Sequence, residues 1–375
     1  MSPVRERDPS CRACGGRQLT RVLDLGAMPA TDYFPRPGQP EAAPVPPLRM
    51  AVCRDCGLAQ LESGGYEGRE PESVEPRALR DQAVDAIAEV ARAGLLTGRT
   101  VREFPSPHGG SWLGPLSAAG LEPVTTGPAD VVVDCFGLMH EPDQPAAFAR
   151  RAAATAPGGV LLLQYHSLRA ILTGRQWNAL RHGHFAYYSL PVLTRLLAGA
   201  GLSVTTAWRF PLYGGTVLLA AVHGAAEPDH RVRDLLADEA FCADPAAASD
   251  LQQAADDDRA TLRRWLEDEK RCGNTVYAYG AASRAVALFA AACLDRTLLA
   301  GVADAAPAKQ GRRMPGTDIP IIAPAELVAA RPDRVLLTLA DLLPEVSAAL
   351  PALAGAWVVD PRRGPVPATP LPTPT

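Results

Sequence analysis

The 375-residue sequence predicts an α/β protein made of a small N-terminal zinc-binding module, a central doubly wound domain that is apparently shortened, and a C-terminal Rossmann-like domain. Three observations predict it. Two CxxC pairs stand near the front, Cys11 with Cys14 and Cys53 with Cys56. Beyond Pro76, short β-branched runs alternate with helical segments, the pattern of a parallel sheet covered on both faces. From Thr275 a strand, a glycine turn and a helix follow one another, as in nucleotide-binding folds. The length asks for two or three domains. We expect them at residues 1–75, 76–225 and 226–362, with a proline-rich, disordered tail at 363–375.

Each CxxC pair is followed by a glycine, Gly15 or Gly57, that lets backbone amides turn toward the sulfurs. Two such knuckles complete a tetrahedral all-cysteine zinc site, and four protein ligands leave no open position, so the site is structural. Two disulfides are the alternative, and they do not suit a reducing compartment. Cys135, Cys242, Cys272 and Cys293 lie scattered and read as core residues. Between the knuckles, "VLDLGAMPATDYFPRPGQPEAAPVPPL" reads as loops and short strands. Its Met28, Asp32, Tyr33 and Phe34 form a cluster that needs cover from a neighbouring domain or a ligand.

In the middle region a helix, "RALRDQAVDAIAEVARAG", precedes the strands "TVREF", "GLEPV", "ADVVVDCF", "GGVLLLQYH" and "VTTAWRF". The first strand-to-helix turn of such a sheet normally carries glycines that admit a cofactor. Here it reads "EFPSPHGG", with Pro105 and Pro107 where a tight glycine turn is expected. Glu122 ends the second strand, a position that holds a ribose in such folds, yet only Thr125 to Pro128 separate it from the next strand. A parallel crossover needs about a dozen residues. Either the two strands are not parallel neighbours or a βα unit is missing. Downstream, "LRHGHFAYYSL" gathers His182, His184, Tyr187 and Tyr188, which reads as a half-buried strand or as a proton-transfer site.

The third region opens with a charged helix, "DLQQAADDDRATLRRWLEDEKRCG", a solvated connector. In "TVYAYGAASRAVALFAAACL" the helix start places Ser283 and Arg284 to meet a pyrophosphate, with a surface salt bridge as the alternative. Asp304 ends the next strand, where it faces a ribose or holds the loop carrying Lys309.

Composition narrows the partners. With 47% hydrophobic and 21% charged residues and a net charge of −4, the chain has no basic stripe for a nucleic-acid backbone, and no nucleic acid is expected. "MSPVRERDPSC" lacks the apolar core of a signal peptide, and no run reaches the roughly 18 uninterrupted apolar residues of a membrane span. We expect a cytoplasmic protein that does not engage a membrane.

With "CRACG", "LDLGAMPATDYF" and "CRDCGLAQL" at the front, and "VYAYGAASRAVAL" and "GVADAAPAKQGRRMPGTDIPIIAPAEL" at the back, the chain resembles sugar C-methyltransferases that act on nucleotide-linked keto-deoxyhexoses. The likeness spans nearly the whole length. It implies zinc in the N-terminal domain, S-adenosylmethionine in a methyltransferase-like middle domain, and a TDP-linked keto-deoxysugar in the cleft between domains, in a pathway of antibiotic biosynthesis. The implied chemistry is deprotonation of the carbon beside a ketone, then attack of the enolate on the methyl sulfonium. Such a proton needs a positioned base near neutral pKa, and histidine is the natural supplier.

Aligned on the family's Tyr-His-Glu-His motif, "RHGH" puts the base on His184 and a supporting histidine on His182, with Tyr187 downstream. Arg181 and Gly183 stand where the family has tyrosine and glutamate. The family's cofactor loop, Glu-(apolar)-Gly-Ser-Asn-Asp-Gly, appears as "EFPSPHG", so Glu103, Gly109 and Glu122 are the cofactor contacts that remain to be expected. The shortening after Glu122 falls where the family walls the adenine. The family's further active-site tyrosine has no counterpart in "EGREPESVEPR", with Tyr66 just before it. The resemblance assigns the substrate to Met28, Tyr33, Ser283, Arg284 and Lys309, and retains His140 and the Gly214–Gly215 pair. Three functions follow: enolisation without methyl transfer, ending in epimerisation, isomerisation or elimination, which needs only what the chain retains; S-adenosylmethionine-dependent C-methylation; and non-catalytic binding of a sugar nucleotide or a partner enzyme.

Overall fold

The computed structural model describes residues 10–31, 33–39, 45–62, 74–105 and 110–366. It divides into two compact units: Met1–Asp24, Leu48–Gly65 and Leu79–Gln252 form the first, and Leu25–Pro47, Tyr66–Ala78 and Gln253–Thr375 the second. Most of the expected zinc module, residues 1–75, and the expected central domain, residues 76–225, fall in the first unit, for a reason visible in the strands.

The zinc module carries β1 (Leu19–Ala27), β2 (Pro47–Cys53) and β3 (Ala59–Leu61). After α1 (Arg77–Arg92) come β4 (Thr100–Phe104), α2 (Leu113–Ala118), β5 (Glu122–Pro123), β6 (Ala129–Cys135), α3 (Gln144–Ala154), β7 (Thr155–His166), α4 (Leu168–Thr173) and β8 (Ala186–Tyr187). β8 leaves the central fold and pairs antiparallel with β3, Ala59 opposite Tyr187 and Gln60 opposite Ala186. Cys11, Cys53, Cys56 and Leu58 share one apolar core with Val131, Val133, Leu161 and Leu163. A shared core and a shared sheet make one folding unit.

The unit is completed by α5 (Leu190–Gly199), β9 (Leu202–Phe210), β10 (Thr216–His223) and α6 (His230–Glu239). Its six-stranded sheet runs β5-β4-β6-β7-β10-β9, with β4, β5, β6 and β7 parallel and β10 antiparallel to both neighbours. The apolar runs of β6 and β7 suit strands buried on both faces. Between the two readings of the short connector after Glu122, the first holds. β5 and β6 flank β4 on opposite sides, and β5 is two residues long, paired with Thr100 and Val101 at the start of β4. A strand that short needs no helical return. The sheet is correspondingly abbreviated at this edge.

The main segment of the second unit starts within α7 (Asp250–Arg271) and holds β11 (Val276–Tyr279), α8 (Ser283–Ala291), β12 (Val302–Ala303), β13 (Ile321–Ile322), α9 (Pro324–Ala330), β14 (Arg334–Leu337), α10 (Leu343–Ala349) and β15 (Trp357–Val358). All strands are parallel, in the order β13-β12-β11-β14-β15. The loop between the knuckles belongs to this unit. Phe34 is fully buried among Leu262, Leu266, Phe289 and Met314, and Arg312 Nη1 donates to its carbonyl at 2.9 Å. Protein, rather than ligand, covers that ring. Within the expected disordered tail, the amide of Val366 donates to the Trp357 carbonyl at 2.7 Å, so order extends past residue 363, and residues 367–375 lie outside the described ones. Among the described residues no helix is long and apolar enough to cross a membrane.

Candidate functional site

Cys11, Cys14, Cys53 and Cys56 bring their Sγ atoms within 4.8 Å of one another. The Cys11–Cys56 and Cys14–Cys53 pairs stand at 3.4 and 3.7 Å, near the edge of about 3.8 Å that four sulfurs at 2.3 Å from a tetrahedral zinc would span. Gly15 and Gly57 both take positive φ, closing each knuckle through amides that donate to the Cys11 and Cys53 carbonyls at 2.9 and 2.8 Å. The crowding shows in the thiols. Cys11 is lowered to about 5 by the hydrogen bond from Cys56, which is itself pushed far up, and burial raises Cys53 to about 11. Four thiolates this close need a cation among them. An all-sulfur tetrahedral set fits zinc.

The histidine stretch forms a tight turn at the carboxyl edge of the central sheet. Gly183 has φ +81°, and the amide of His184 donates to the Arg181 carbonyl at 3.3 Å. His182 and His184 are both 6% exposed. Tyr187 is buried, and its hydroxyl accepts from the Arg181 amide at 3.1 Å, bracing the turn from below. The Arg181 side chain folds back so that Nε lies 2.7 Å from His184 Nε2 and 3.3 Å from Nδ1.

His140 meets His184 edge to face, with ring centroids 4.6 Å apart. Burial, and then the Arg181 charge, hold the His140 pKa down to about 3, so this ring is neutral at any working pH. The turn that carries it is built by Asp134, at the end of β6. One carboxylate oxygen accepts from the Gly137 and Leu138 amides at 2.7 and 3.2 Å, and the other receives Arg151 at 2.7 and 2.9 Å. Arg151 also bonds Glu141 at 2.8 Å and lies over the Phe104 ring at 4.1 Å. The Phe185 amide donates to the Met139 carbonyl at 2.7 Å, tying the two histidine turns together. Sequence reasoning passed over Asp134 and Arg151. The available signal was an acid closing an apolar strand that otherwise has no need of one.

Of the expected cofactor residues, the two described ones, Glu103 and Glu122, stand toward opposite ends of β4. Glu103 spends its carboxylate on the Ser111 hydroxyl and the Trp112 amide, both at 2.6 Å, which closes the chain onto α2. Glu122 is exposed and pairs with Thr100, at the end of the sheet opposite the turn that begins at Pro105. It faces away from that turn because the register of β5 is set by the start of β4, not its end. Gly109 lies outside the described residues.

In the second unit, Ser283 is buried and half-buried Arg284 follows it in the first turn of α8. Gly280 precedes them with φ +97°, where a Cβ would come 2.5 Å from Thr338 Oγ1. Asp304 accepts from the Ala281 and Ala306 amides at 2.7 and 2.8 Å, so it holds the loops. Lys309 is 3% exposed; its Nζ donates to the Ala281 carbonyl at 3.0 Å and lies 5.0 Å from the Phe34 ring centroid. Met28 is buried, with its amide on the Pro46 carbonyl, and Tyr33 is half-buried.

Comparison with known proteins adds the following. A family model described as "C-methyltransferase C-terminal domain" matches residues 211–359, and one described as "Putative zinc binding domain" matches residues 11–64. The C-methyltransferase NovU from Streptomyces niveus is 27% identical over 387 residues, covering 90% of each chain. Among solved structures, a magnesium protoporphyrin IX methyltransferase from Synechocystis PCC 6803 is 15% identical, over 40% of this chain and 85% of its own, with a TM-score of 0.30. An S-adenosylmethionine-dependent methyltransferase from Clostridium acetobutylicum ATCC 824 is 10% identical over 39% and 92%, with a TM-score of 0.29.

Proposed function

We propose that this chain, as a member of the C-methyltransferase family whose domains it matches, performs the enolising half of that chemistry on a TDP-linked keto-deoxysugar, independently of S-adenosylmethionine. His184 removes the proton from the carbon beside the ketone. The enolate then resolves by epimerisation, isomerisation or elimination. The observation that carries this reading is the buried His184 imidazole, held edge-on by a neutral His140 at the carboxyl edge of the sheet, where α/β folds place their ligands.

The parts have separate tasks. His184 offers an imidazole nitrogen to the carbon acid, while Arg181 Nε lies against the ring, 2.7 Å from Nε2 and 3.3 Å from Nδ1. His140, with its pKa near 3, is uncharged and does not compete for the proton. Tyr187 fixes the turn through the Arg181 amide, and His182 is assigned a supporting place beside the base. Within the second unit, Ser283 and Arg284, at the start of α8, are assigned to a nucleotide. Zinc at the four cysteines supplies rigidity, not chemistry.

The test is incubation with TDP-4-keto-6-deoxyglucose in deuterated water. The wild-type protein is expected to exchange a proton beside the ketone, and His184→Asn to lose about 10²–10⁴-fold of that rate. A wild-type protein that leaves every such carbon unlabelled overturns the reading. The second reading, methyl transfer from S-adenosylmethionine, is supported by the likeness to NovU across 90% of the chain. It requires measurable heat when S-adenosylmethionine is titrated by calorimetry, and a methylated sugar in the product.

A further inference from the structure

We propose that Arg12, set between two cysteines of the first zinc knuckle, is a positioning residue that holds the two histidine turns against each other and so fixes the place of His184. The proposal rests on the enolisation reading above for what His184 does; the contacts it invokes stand apart from that reading. Both CxxC pairs carry arginine at their second position, Arg12 and Arg54, and the two side chains go separate ways. Arg54 is exposed and donates from Nε to Thr20 Oγ1 at 2.7 Å. Arg12 is half-buried and turns inward, its guanidinium carbon 4.7 Å from the centroid of the Phe185 ring.

Phe185 directly follows His184. Its amide donates to the Met139 carbonyl at 2.7 Å and its carbonyl accepts from the Leu61 amide at 3.2 Å, so the cation covers a ring whose main chain is tied on both sides. The same guanidinium reaches the other turn. Nη1 donates to the carbonyl of Pro142, two residues past His140, at 3.3 Å, and Nε donates to the Leu61 carbonyl at 3.5 Å. The Arg12 main chain adds a further tie. Its carbonyl accepts from the Gln144 amide at 3.3 Å, and Gln144 Nε2 closes the His140 turn by donating to the Leu138 and Glu141 carbonyls at 3.1 and 2.6 Å.

A planar guanidinium can serve both turns because its face stacks on an aromatic ring while its N–H groups donate in plane. An ammonium has no such plane. The Arg12 backbone is itself anchored, with its amide on Gln60 Oε1 at 2.8 Å and with Cys11 and Cys14 of the four-sulfur set on either side. What this anchor sets is the edge-to-face contact of His140 with His184, at a centroid distance of 4.6 Å. Removing the guanidinium takes away the ring cover and the Pro142 bond together, which lets the two turns shift relative to each other. A reacting group misplaced by about 1 Å costs about 10²-fold in rate.

The test compares the wild type with Arg12→Met, Arg12→Lys and, as a control with the same change of charge on the other knuckle, Arg54→Met. All four proteins should hold one zinc per chain. In histidine-labelled protein, NMR should show a cross-peak between the His140 and His184 rings in the wild type and in Arg54→Met, and Arg12→Met should lose most of it. On TDP-4-keto-6-deoxyglucose in deuterated water, Arg12→Met is expected to lower kcat for exchange by about 10–10²-fold with KM within about threefold, and Arg12→Lys to fall between it and the wild type. Where Arg12→Met does not fold, Arg12→Lys carries the same comparison. An undiminished cross-peak in folded Arg12→Met overturns the proposal, and so does loss of zinc from Arg12→Met alone, which would make Arg12 a support of the metal site. A wild type inactive on the ketosugar, with the cross-peak still lost in Arg12→Met, upholds the positioning role and overturns the enolisation reading.

Discussion

The Asp134–Arg151 pair offers the most quantitative test of how the site is held. Both side chains are essentially excluded from water, 0% and 3% exposed, and Arg151 reaches the carboxylate at 2.7 and 2.9 Å. Replacing Arg151 by Met keeps an apolar stem, removes the guanidinium from over Phe104 and strands a buried carboxylate. Removing one member of a buried pair costs about 3–5 kcal/mol. Against a typical total of about 5–15 kcal/mol, that is a large share. The loss has a defined pH dependence. Burial already raises the folded-state pKa of Asp134 above the ordinary 3.8, with Arg151 opposing it, and removing Arg151 raises it further. A raised acid holds its proton more tightly folded than unfolded. The penalty is therefore absent below 3.8, grows as pH rises through the window up to the folded-state value, and is fully present above it. Equilibrium urea unfolding of Arg151→Met at neutral and acidic pH measures this directly. Hydrogen exchange at the Gly137 and Leu138 amides, which donate to Asp134, reads the local consequence. Asp134→Asn added to Arg151→Met removes the stranded charge and should recover about half of the loss. A neutral-pH loss under about 1 kcal/mol, or a loss equal at both pH values, refutes the reasoning.

Two further outcomes follow from the same structure. Metal analysis should find one zinc per chain, and a strong chelator, or acid that protonates the thiolates, should remove it; because β3 pairs with β8, the zinc-free protein should lose exchange at the substrate carbon as well as stability, and full activity without metal would contradict the shared core. Glu103→Gln weakens two short charge-assisted bonds and should cost about 1–2 kcal/mol in thermal unfolding, whereas exposed Glu122→Gln should stay within about 0.5 kcal/mol and leave ligand binding unchanged.

Much of the architecture was legible because it rests on local rules. CxxC followed by glycine is the local pattern of a knuckle, and the apolar runs of β6 and β7 suit strands inside a sheet. What stayed hidden depends on register and on partners distant in sequence. Nothing in "GLEPV" tells which end of β4 it will pair with, so Glu122 looked like a ribose ligand until the pairing with Thr100 turned it away. The β3–β8 pairing joins residues more than a hundred positions apart, and without it the zinc module reads as a separate domain. Phe34 looked like an uncovered ring because its cover lies in α7, α8 and beyond.

The histidine turn shows the same limit in its most functional form. Compared with Tyr-His-Glu-His, "RHGH" reads as two losses, a tyrosine and a glutamate. In three dimensions they are one exchange. Gly183 adopts φ +81°, a conformation that costs a side-chain-bearing residue about 1 kcal/mol or more, so a glutamate here would strain the turn. The same turn closes through the His184 amide onto the Arg181 carbonyl, which brings residue 181 back over residue 184. The Arg181 side chain then lies against the imidazole, its Nε 2.7 Å from Nε2 and 3.3 Å from Nδ1. Glycine makes the turn that lets arginine pack against the imidazole, so the two departures from the motif are read together rather than as separate losses.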